Sequence, residues 1–279
     1  MGIIMASHNR APRYGTIDMA YAATLATTAP EDDGPVWMVS LMKYREVADY
    51  ADGRDSAISG READDAYAPL GPLAAIGAEA VFFADVERQL MGDVPAWDRI
   101  GVVKYPSRPS FIEMQSRPDF VELHAHKEAG MSTTIVMGCV PMNIGDSPLT
   151  TTDWADAPHP STSDDGPIVV LHVIKFEESG GLGEMDGYHD VAGEVAAPQG
   201  ARIDGFFNVE GTIMGDGRTW DQVRFVAYPS RAAFMAVVTD PRRIEAQNNH
   251  RQAAIADSYT MMLTPMFNKL ATSIAAEPT

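Results

Sequence analysis

The stretch Trp97-Asp98, followed by Tyr105-Pro106-Ser107-Arg108, decides the fold because the chain contains it twice. The second copy, Trp220-Asp221 followed by Tyr228-Pro229-Ser230-Arg231, comes 123 positions later. A period of this length exceeds the roughly 20 to 50 residues of a solenoid repeat, so each copy is expected to be a compact unit with its own core. The sequence therefore predicts a duplicated domain.

The similarity extends outward from this stretch over residues 77–122. The repeated landmarks are Glu87 and Glu210, Met91-Gly92 and Met214-Gly215, Phe111 and Phe234, and Pro118 and Pro241. Together with a segment rich in Pro, Ser, Thr and Asp, which is typical of a linker, they set the predicted boundaries. We expect an N-terminal arm at 1–34, repeat 1 at 35–140, the linker at 141–166, repeat 2 at 167–270 and a C-terminal tail at 271–279.

Both repeats show the same order of predicted elements: strand, helix, strand, strand, helix, strand. In repeat 1 these cover 36–44, 62–76, 79–91, 97–105, 107–127 and 131–140, and in repeat 2 they cover 168–176, 184–197, 201–214, 219–228, 230–256 and 258–266. Pro69 and Pro72 fit poorly inside the helix at 62–76 and favour a break there. In the arm, Asp18 is expected to open a short helix that ends near Thr28. The repeated βαββαβ order predicts a ferredoxin-like unit, an antiparallel sheet with helices on one face.

A sheet with helices on one side leaves its other face bare, and a bare apolar face favours aggregation. The two repeats are therefore expected to cover each other inside one chain. The predicted fold class is α+β, with two ferredoxin-like βαββαβ repeats whose antiparallel sheets pack into an intrachain dimeric α/β-barrel.

The chain resembles the family catalogued as domain of unknown function 1330, within the dimeric α/β-barrel superfamily. The resemblance rests on Gly77-Ala78, Glu87, Trp97 and the run from Lys104 to Arg108 that leads to Phe111 and Pro118. It covers most of both repeats and departs from the family pattern after Pro118 and Pro241, where a tyrosine is usual. At superfamily level the resemblance implies cofactor-independent monooxygenases, isomerases or lyases acting on small organic molecules, and more remotely haem enzymes.

The composition narrows the classes of partner. A net charge of −18 and a pI near 4.6 repel phosphate backbones and anionic membrane surfaces, so no nucleic-acid partner is expected. No apolar run approaches the length of a membrane span, and no signal peptide is recognisable, so a cytoplasmic protein without a membrane partner is expected. The expected partner is a small-molecule ligand or substrate, and a second copy of the chain is a further candidate.

The alternation of residues along the strands divides each sheet into two faces. In repeat 2 an apolar set that includes Leu171 and Phe225 is expected to meet the helices. The alternate set, which includes Val170 and Val226, is expected to point into the space between the two sheets. The alternate set contains the predicted catalytic residues: His172 as general base, Glu210 as its orienting group or a second acid, and Arg224 as the stabiliser of an enolate or phenolate oxygen. The predicted substrate-binding residues are Asn208, Trp220, Gln222, Phe206 and Tyr228, with Glu87, Arg99 and Trp97 from repeat 1.

These residues favour an enzyme that acts on a small hydrophobic or aromatic molecule in the barrel interior by general acid/base chemistry, without a cofactor. The alternative is a non-catalytic binding or structural barrel, in which Glu210 and Arg224 only neutralise each other. A second alternative is a haem-binding oxidoreductase with His250 as the axial ligand. No zinc-ligand spacing or nucleotide-binding motif is present, so no metal site is predicted.

Overall fold

The computed structural model describes residues 12–144, 149, 153–178 and 181–277. In the arm, strand β1 (Thr16–Ile17) precedes helix α1 (Met19–Thr27). Asp18 caps this helix as predicted, because its carboxylate accepts hydrogen bonds from the backbone N–H groups of Ala20 and Tyr21, at 2.8 and 3.0 Å. Residues 12–34 of the arm thus contain a short strand and a capped helix.

Repeat 1 follows the predicted order, with two helices interrupted at prolines. Its elements are β2 (Val36–Tyr44), α2 (Gly60–Tyr67), α3 (Leu70–Ala75), β3 (Glu79–Met91), β4 (Arg99–Tyr105), α4 (Arg108–Ser116), α5 (Pro118–Gly130) and β5 (Met131–Pro141). The predicted helix at 62–76 is interrupted just before Leu70, and the one at 107–127 is interrupted at Arg117. Proline lacks the N–H of the helical ladder and disfavours helical backbone in the preceding residue, which explains both breaks.

Repeat 2 has the same order and a more divided second helical region. Its elements are β6 (Ile168–Phe176), α6 (Gly181–Ala196) with a 3-10 turn (Ala197–Gln199), β7 (Arg202–Gly215), β8 (Gln222–Tyr228), α7 (Arg231–Val238), α8 (Pro241–Ala246), a π-turn (Gln247–Arg251), α9 (Gln252–Ala254) and β9 (Ile255–Asn268). Helix α10 (Leu270–Ala275) lies in the tail. The single helix predicted at 230–256 is therefore three short helices and a π-turn.

The strand order confirms the predicted fold class. Hydrogen-bonded neighbours run β1-β7-β5-β2-β4-β3-β9-β6-β8, and β8 pairs back to β7. Eight strands thus form a closed antiparallel barrel in an α+β chain, the dimeric α/β-barrel architecture within one polypeptide.

Two compact units can be distinguished, and they differ from the two repeats by an exchange of segments. The first unit contains 12–83, 95–140 and 209–219, whereas the second contains 84–94 and 220–277 together with the described residues of 141–208. The end of β3 therefore belongs to the second unit and the end of β7 to the first. Both strands are long, 13 and 14 residues, and this length carries each across to the other unit.

Each unit has a core between its sheet and its helices. In the first unit Val36 and Tyr105 of the sheet pack with helix residues Leu73, Ile112 and Phe120. In the second unit the corresponding cluster joins strands β6 and β8 to helices α6 and α7: Val170, Val226, Tyr228, Val195, Ala196, Ala233, Phe234 and Val237. Within the described residues, no helix combines the length and apolar character needed to cross a bilayer.

The described part of the linker is bound to the second unit. The Trp154 indole N–H donates to the Gly200 carbonyl oxygen at 2.7 Å, and the Ser161 hydroxyl donates to that of Pro229 at 2.6 Å. Ala157 is buried. The linker composition therefore does not prevent this segment from packing against repeat 2.

Candidate functional site

The predicted division of the strands into two faces holds, but the faces are reversed. Val170, Val226 and Tyr228, which were expected to point away from the helices, pack against α6 and α7. The set expected to meet the helices, which includes Leu171 and Phe225, lies on the opposite face of the sheet by alternation and is fully buried. The polar set with His172 and Arg224 is therefore on the helix side of the repeat 2 sheet and not in the barrel interior.

His172 and Arg224 are direct neighbours on adjacent strands. The register of β6 and β8 pairs these two residues, and that of β7 and β8 pairs Arg224 with Phe206. The guanidinium carbon of Arg224 lies 5.1 Å from the centre of the Phe206 ring. The structure thus brings together the predicted catalytic residues His172 and Arg224 and the predicted substrate-binding residue Phe206.

Arg224 is held by hydrogen bonds to two neutral side chains. Its Nε donates to Gln222 Oε1 at 3.0 Å, and its Nη1 donates to Nε2 of His189 on α6. Because a guanidinium is always a donor, His189 must accept through Nε2 and carry its proton on Nδ1. Burial, reinforced by Arg224 and Arg251, lowers the pKa of His189 to about 3, so this imidazole is neutral near pH 7.

His172 is also kept neutral. Its Nδ1 is hydrogen-bonded to the Thr260 hydroxyl at 3.1 Å. Burial is the largest cause that lowers the pKa of His172 well below its usual value, followed by the charges of Arg251, Arg224 and Arg243. If Nδ1 donates to Thr260, then Nε2 presents a lone pair, which is the state that a general base requires.

Two more arginines come from the helical layer. Arg251, in the π-turn, is only 4% exposed, and among the described residues its Nη2 has no hydrogen-bond partner. Its Nη1 contacts the Met91 sulfur at 3.3 Å. Arg243 on α8 has its guanidinium carbon 6.0 Å from the centre of the Tyr188 ring. We refer to Arg224, Arg243, Arg251, His172 and His189 as the cationic cluster.

Glu210 lies apart from the cationic cluster. The pairing of β7 with β8 ends at Asn208, and the following residues of β7 belong to the first unit. There the Glu210 carboxylate accepts from Arg108 Nε at 3.0 Å and from the Tyr21 hydroxyl at 3.4 Å. Strand alternation put Glu210 in the same set as Arg224, but it could not reveal that β7 extends beyond the end of its pairing with β8.

The remaining predicted residues of repeat 2 surround the cluster or support the core. Gln222 orients Arg224, and its amide donates to Asn208 Oδ1 at 3.4 Å. Tyr228 packs edge to face with Phe234 of α7. Trp220 is buried, with its ring centre 5.5 Å from that of Tyr259. Tyr228 and Trp220 thus belong to the hydrophobic packing of the second unit.

The predicted residues of repeat 1 are not gathered at one site. Glu87 accepts hydrogen bonds from Arg231 and Thr264 in the second unit. Arg99 lies in the first unit, where its Nη1 is 2.6 Å from Asp65 and 3.5 Å from the buried Asp64. Trp97 is buried there.

Comparison of the repeats shows that repeat 2 has a methionine at a position where repeat 1 has a carboxylate. Helix α2 begins at Gly60, which lies close to the Gly130 carbonyl oxygen. Helix α6 begins at Gly181, which lies close to the Ala254 carbonyl oxygen in the same way. The two glycines therefore occupy equivalent positions in the repeats. Asp64 then corresponds to Met185. In repeat 1 Asp64 accepts from the Tyr44 hydroxyl at 2.6 Å and binds Arg99, whereas in repeat 2 the same place is apolar.

Sequence reasoning missed His189, Arg243, Arg251 and Thr260. A helical wheel does not place Arg243 and Arg251 on the same face, because the π-turn interrupts the helical period of about 3.6 residues between them. The sequence signal was limited to Arg243, because the offset of 123 positions matches Phe120 with Arg243 but Lys127 with His250.

No protein-family model matches the chain, and no curated protein matches it. Among solved structures, an anthrone oxidase-like protein is 12% identical with a TM-score of 0.50, over 88% of this chain and 97% of its own. A protein of unknown function from Rhodopseudomonas palustris is 25% identical with a TM-score of 0.39, over 45% of this chain and 95% of its own. A chlorite dismutase from Candidatus Nitrospira defluvii, in complex with imidazole, is 10% identical with a TM-score of 0.47, over 91% of this chain and 98% of its own.

The solved neighbours are dimeric α/β-barrel proteins, and the fold of this chain is of that class. At 12% identity the anthrone oxidase-like protein shows the fold alone. The resemblance to domain of unknown function 1330 stays a prediction. In the described residues, no group of three or more His, Cys, Asp or Glu side chains is arranged to hold a metal ion.

Proposed function

We propose that the chain is an enzyme that binds a small organic anion at the cationic cluster and moves a proton with His172. The observation that carries this proposal is the buried guanidinium of Arg251, whose Nη2 has no hydrogen-bond partner in the described part of the chain. A buried donor without a partner costs about 1 to 3 kcal/mol, and more when it is charged. An anionic group of a ligand would remove that cost.

The electrostatics of the cluster support an anion. After burial, the largest causes that lower the pKa of His172 are the three arginines, although the chain as a whole carries a net charge of −18. Repeat 2 also has Met185 where repeat 1 has the carboxylate of Asp64. Phe206 and Tyr188 offer aromatic surface to the organic part of the ligand. The proposed substrate is therefore a carboxylate or enolate on an apolar or aromatic body.

The proposed reaction is proton abstraction from carbon next to a carbonyl group. His172 Nε2 takes the proton, and Arg251 binds the carboxylate of the substrate. Arg224 adds positive potential where the enolate charge develops and keeps His189 neutral through its Nε2. Glu210 has no part in this scheme, because its carboxylate binds Arg108.

We expect the purified protein to bind phenylpyruvate and to accelerate exchange of its benzylic protons with deuterated water, followed by NMR. His172→Ala is expected to retain binding and to lose about 100-fold or more of the exchange rate, the usual contribution of a general base. Arg251→Met is expected to weaken binding about 10- to 100-fold, because it removes a charged hydrogen-bond donor. The matched control is Arg242→Met, since Arg242 is 63% exposed and pairs with Asp240 at 3.0 Å.

Other outcomes separate the alternatives. Binding without exchange in the wild-type protein would favour a non-catalytic binding barrel. Absence of binding, or equal binding by the wild type and Arg251→Met, would refute the proposed site. Haem, with His250 next to Arg251 in the π-turn, stays a proposal that a Soret band in the purified protein would support.

A further inference from the structure

The second helical region of repeat 2 contains one residue more than its counterpart in repeat 1. Helix α5 runs from Pro118 to Gly130, and the counterpart runs from Pro241 to Ala254. The prolines are equivalent in the sequence repeat. The far ends are equivalent in structure, because the carbonyl oxygens of Gly130 and Ala254 both accept a backbone hydrogen bond from the residue after the first strand of their repeat. The extra residue therefore lies inside the helical region.

The π-turn at Gln247–Arg251 absorbs the extra residue. The backbone N–H of Gln252 donates to the Gln247 carbonyl oxygen, five residues back, in place of the four of an α-helix. Such turns insert one residue into a helical region, and they occur frequently at functional sites.

The π-turn keeps two arginines on one face. In α5 Phe120 and Lys127 are seven positions apart. At about 100° per residue, their side chains point in directions that differ by about 20° around the helix axis. Both side chains contact Tyr67. Their counterparts Arg243 and Arg251 are eight positions apart, which in an uninterrupted helix separates them by about 80°. The extra residue of the π-turn takes up about 100° and restores the alignment.

This alignment is unfavourable unless an anion is present. Arg243 and Arg251 replace an aromatic residue and a lysine of repeat 1, and Met185 replaces the nearby carboxylate of Asp64. Two like charges on one helix face repel each other, and one of these guanidiniums is buried with a nitrogen that has no partner in the described residues. The second unit therefore maintains two aligned guanidiniums at a cost in stability.

We infer that Arg243 is a second anion-binding residue, aligned with Arg251 by the π-turn, and that the site takes a ligand with two negative charges, of the dicarboxylate class. This inference rests on the proposed function and makes it more specific. Because repeat 1 has no arginine at either position, only repeat 2 binds such a ligand.

The test compares benzoate with phthalate by isothermal titration calorimetry on the full chain. We expect phthalate to bind the wild type about tenfold more tightly than benzoate, as a second charged contact predicts. Arg243→Met is expected to abolish this preference, and the neighbouring Arg242→Met is expected to leave it unchanged. The double variant Arg243→Met/Ile244→Arg moves the guanidinium about 100° around the helix and is expected not to restore the preference.

Two failures are distinguishable. If benzoate binds through Arg251 but phthalate binds no more tightly, or if Arg243→Met keeps the preference, the inference is overturned and the proposed function stands. If neither probe binds the wild-type protein, the proposed function itself fails. Circular dichroism verifies that each variant is folded, and the comparison of the two probes on the wild type decides the outcome even if a variant is not.

Discussion

At the scale of single residues, the cationic cluster is a set of guanidiniums that keeps two imidazoles uncharged. His189 accepts a hydrogen bond from Arg224, and a protonated imidazole could not do so. His172 lies beside Arg224 on the adjacent strand. Both imidazoles are therefore neutral because burial and positive neighbours act in the same direction.

This arrangement predicts a loss of stability in mild acid. The pKa of His189 is about 3 in the folded chain and about 6.5 when unfolded, so between pH 6.5 and pH 3 the unfolded state binds the proton and the folded state does not. The contribution to stability is complete above pH 6.5 and falls by about 2 kcal/mol for this residue between pH 6.5 and 5. Urea unfolding at pH 7.5 and 5.0 should therefore show a smaller decrease for His189→Gln than for the wild type.

The exposed His159 provides the control for this measurement. His159→Gln is expected to leave the decrease unchanged. The same decrease in His189→Gln and the wild type would show that His189 is not buried in its neutral form.

At the scale of elements, the repeated glutamates and arginines of the sequence bind crosswise. Glu210, on the end of β7, binds Arg108 of repeat 1, and Glu87, on the end of β3, binds Arg231 of repeat 2. Each arginine opens the helix that follows Tyr-Pro-Ser, with Ser107 or Ser230 as the capping residue. The repeated glutamates and arginines that revealed the duplication thus form the ion pairs that hold the exchanged strand ends.

The two anchors are expected to differ in strength. The Arg108 side chain is 11% exposed and also binds Asp33 at 3.1 Å, whereas the Arg231 side chain is 36% exposed. Arg108→Met should lower the free energy of unfolding by about 3 kcal/mol, because it leaves two carboxylates without their partner in a poorly solvated place. Arg231→Met should lower it by about 1 kcal/mol or less. Chemical denaturation of both variants measures the difference, and equal effects would contradict this ranking.

At the scale of the whole molecule, the exchange of strand ends makes each unit depend on both repeats. Residues 84–94 belong to the second unit and residues 209–219 to the first. Neither half of the chain therefore contains a complete unit of its own.

A cut in the linker is expected to leave the halves associated. A protease site inserted after the exposed Ser163 allows the folded chain to be cleaved. We expect both fragments to elute together on a sizing column at the position of the uncut protein, because separation requires β3 and β7 to leave the units that contain their ends. Two separate peaks would contradict the exchange. The uncut chain with the inserted site serves as the control.

Much of the fold was predictable because its signals are local. The bounds of β3 and β6 were predicted to the residue, and the capping role of Asp18 was predicted from its side chain alone. The pairing of His172 with Arg224 in one alternate set also followed from the period of two along a strand. Part of the candidate site was thus predictable from the sequence.

The sequence by itself determined the duplication, the βαββαβ order and the division of each strand into two faces, because identity and alternation are properties of neighbouring residues. Only the tertiary structure decided which face the helices cover, that Glu210 binds Arg108, and that Arg243 and Arg251 both lie near His172. Alternation is the same whichever side of the sheet the helices pack on, and the path of β7 beyond β8 depends on contacts far apart in the chain. Most of the candidate site is formed by contacts between residues that are far apart in the chain, which is why the sequence alone could not predict it in full.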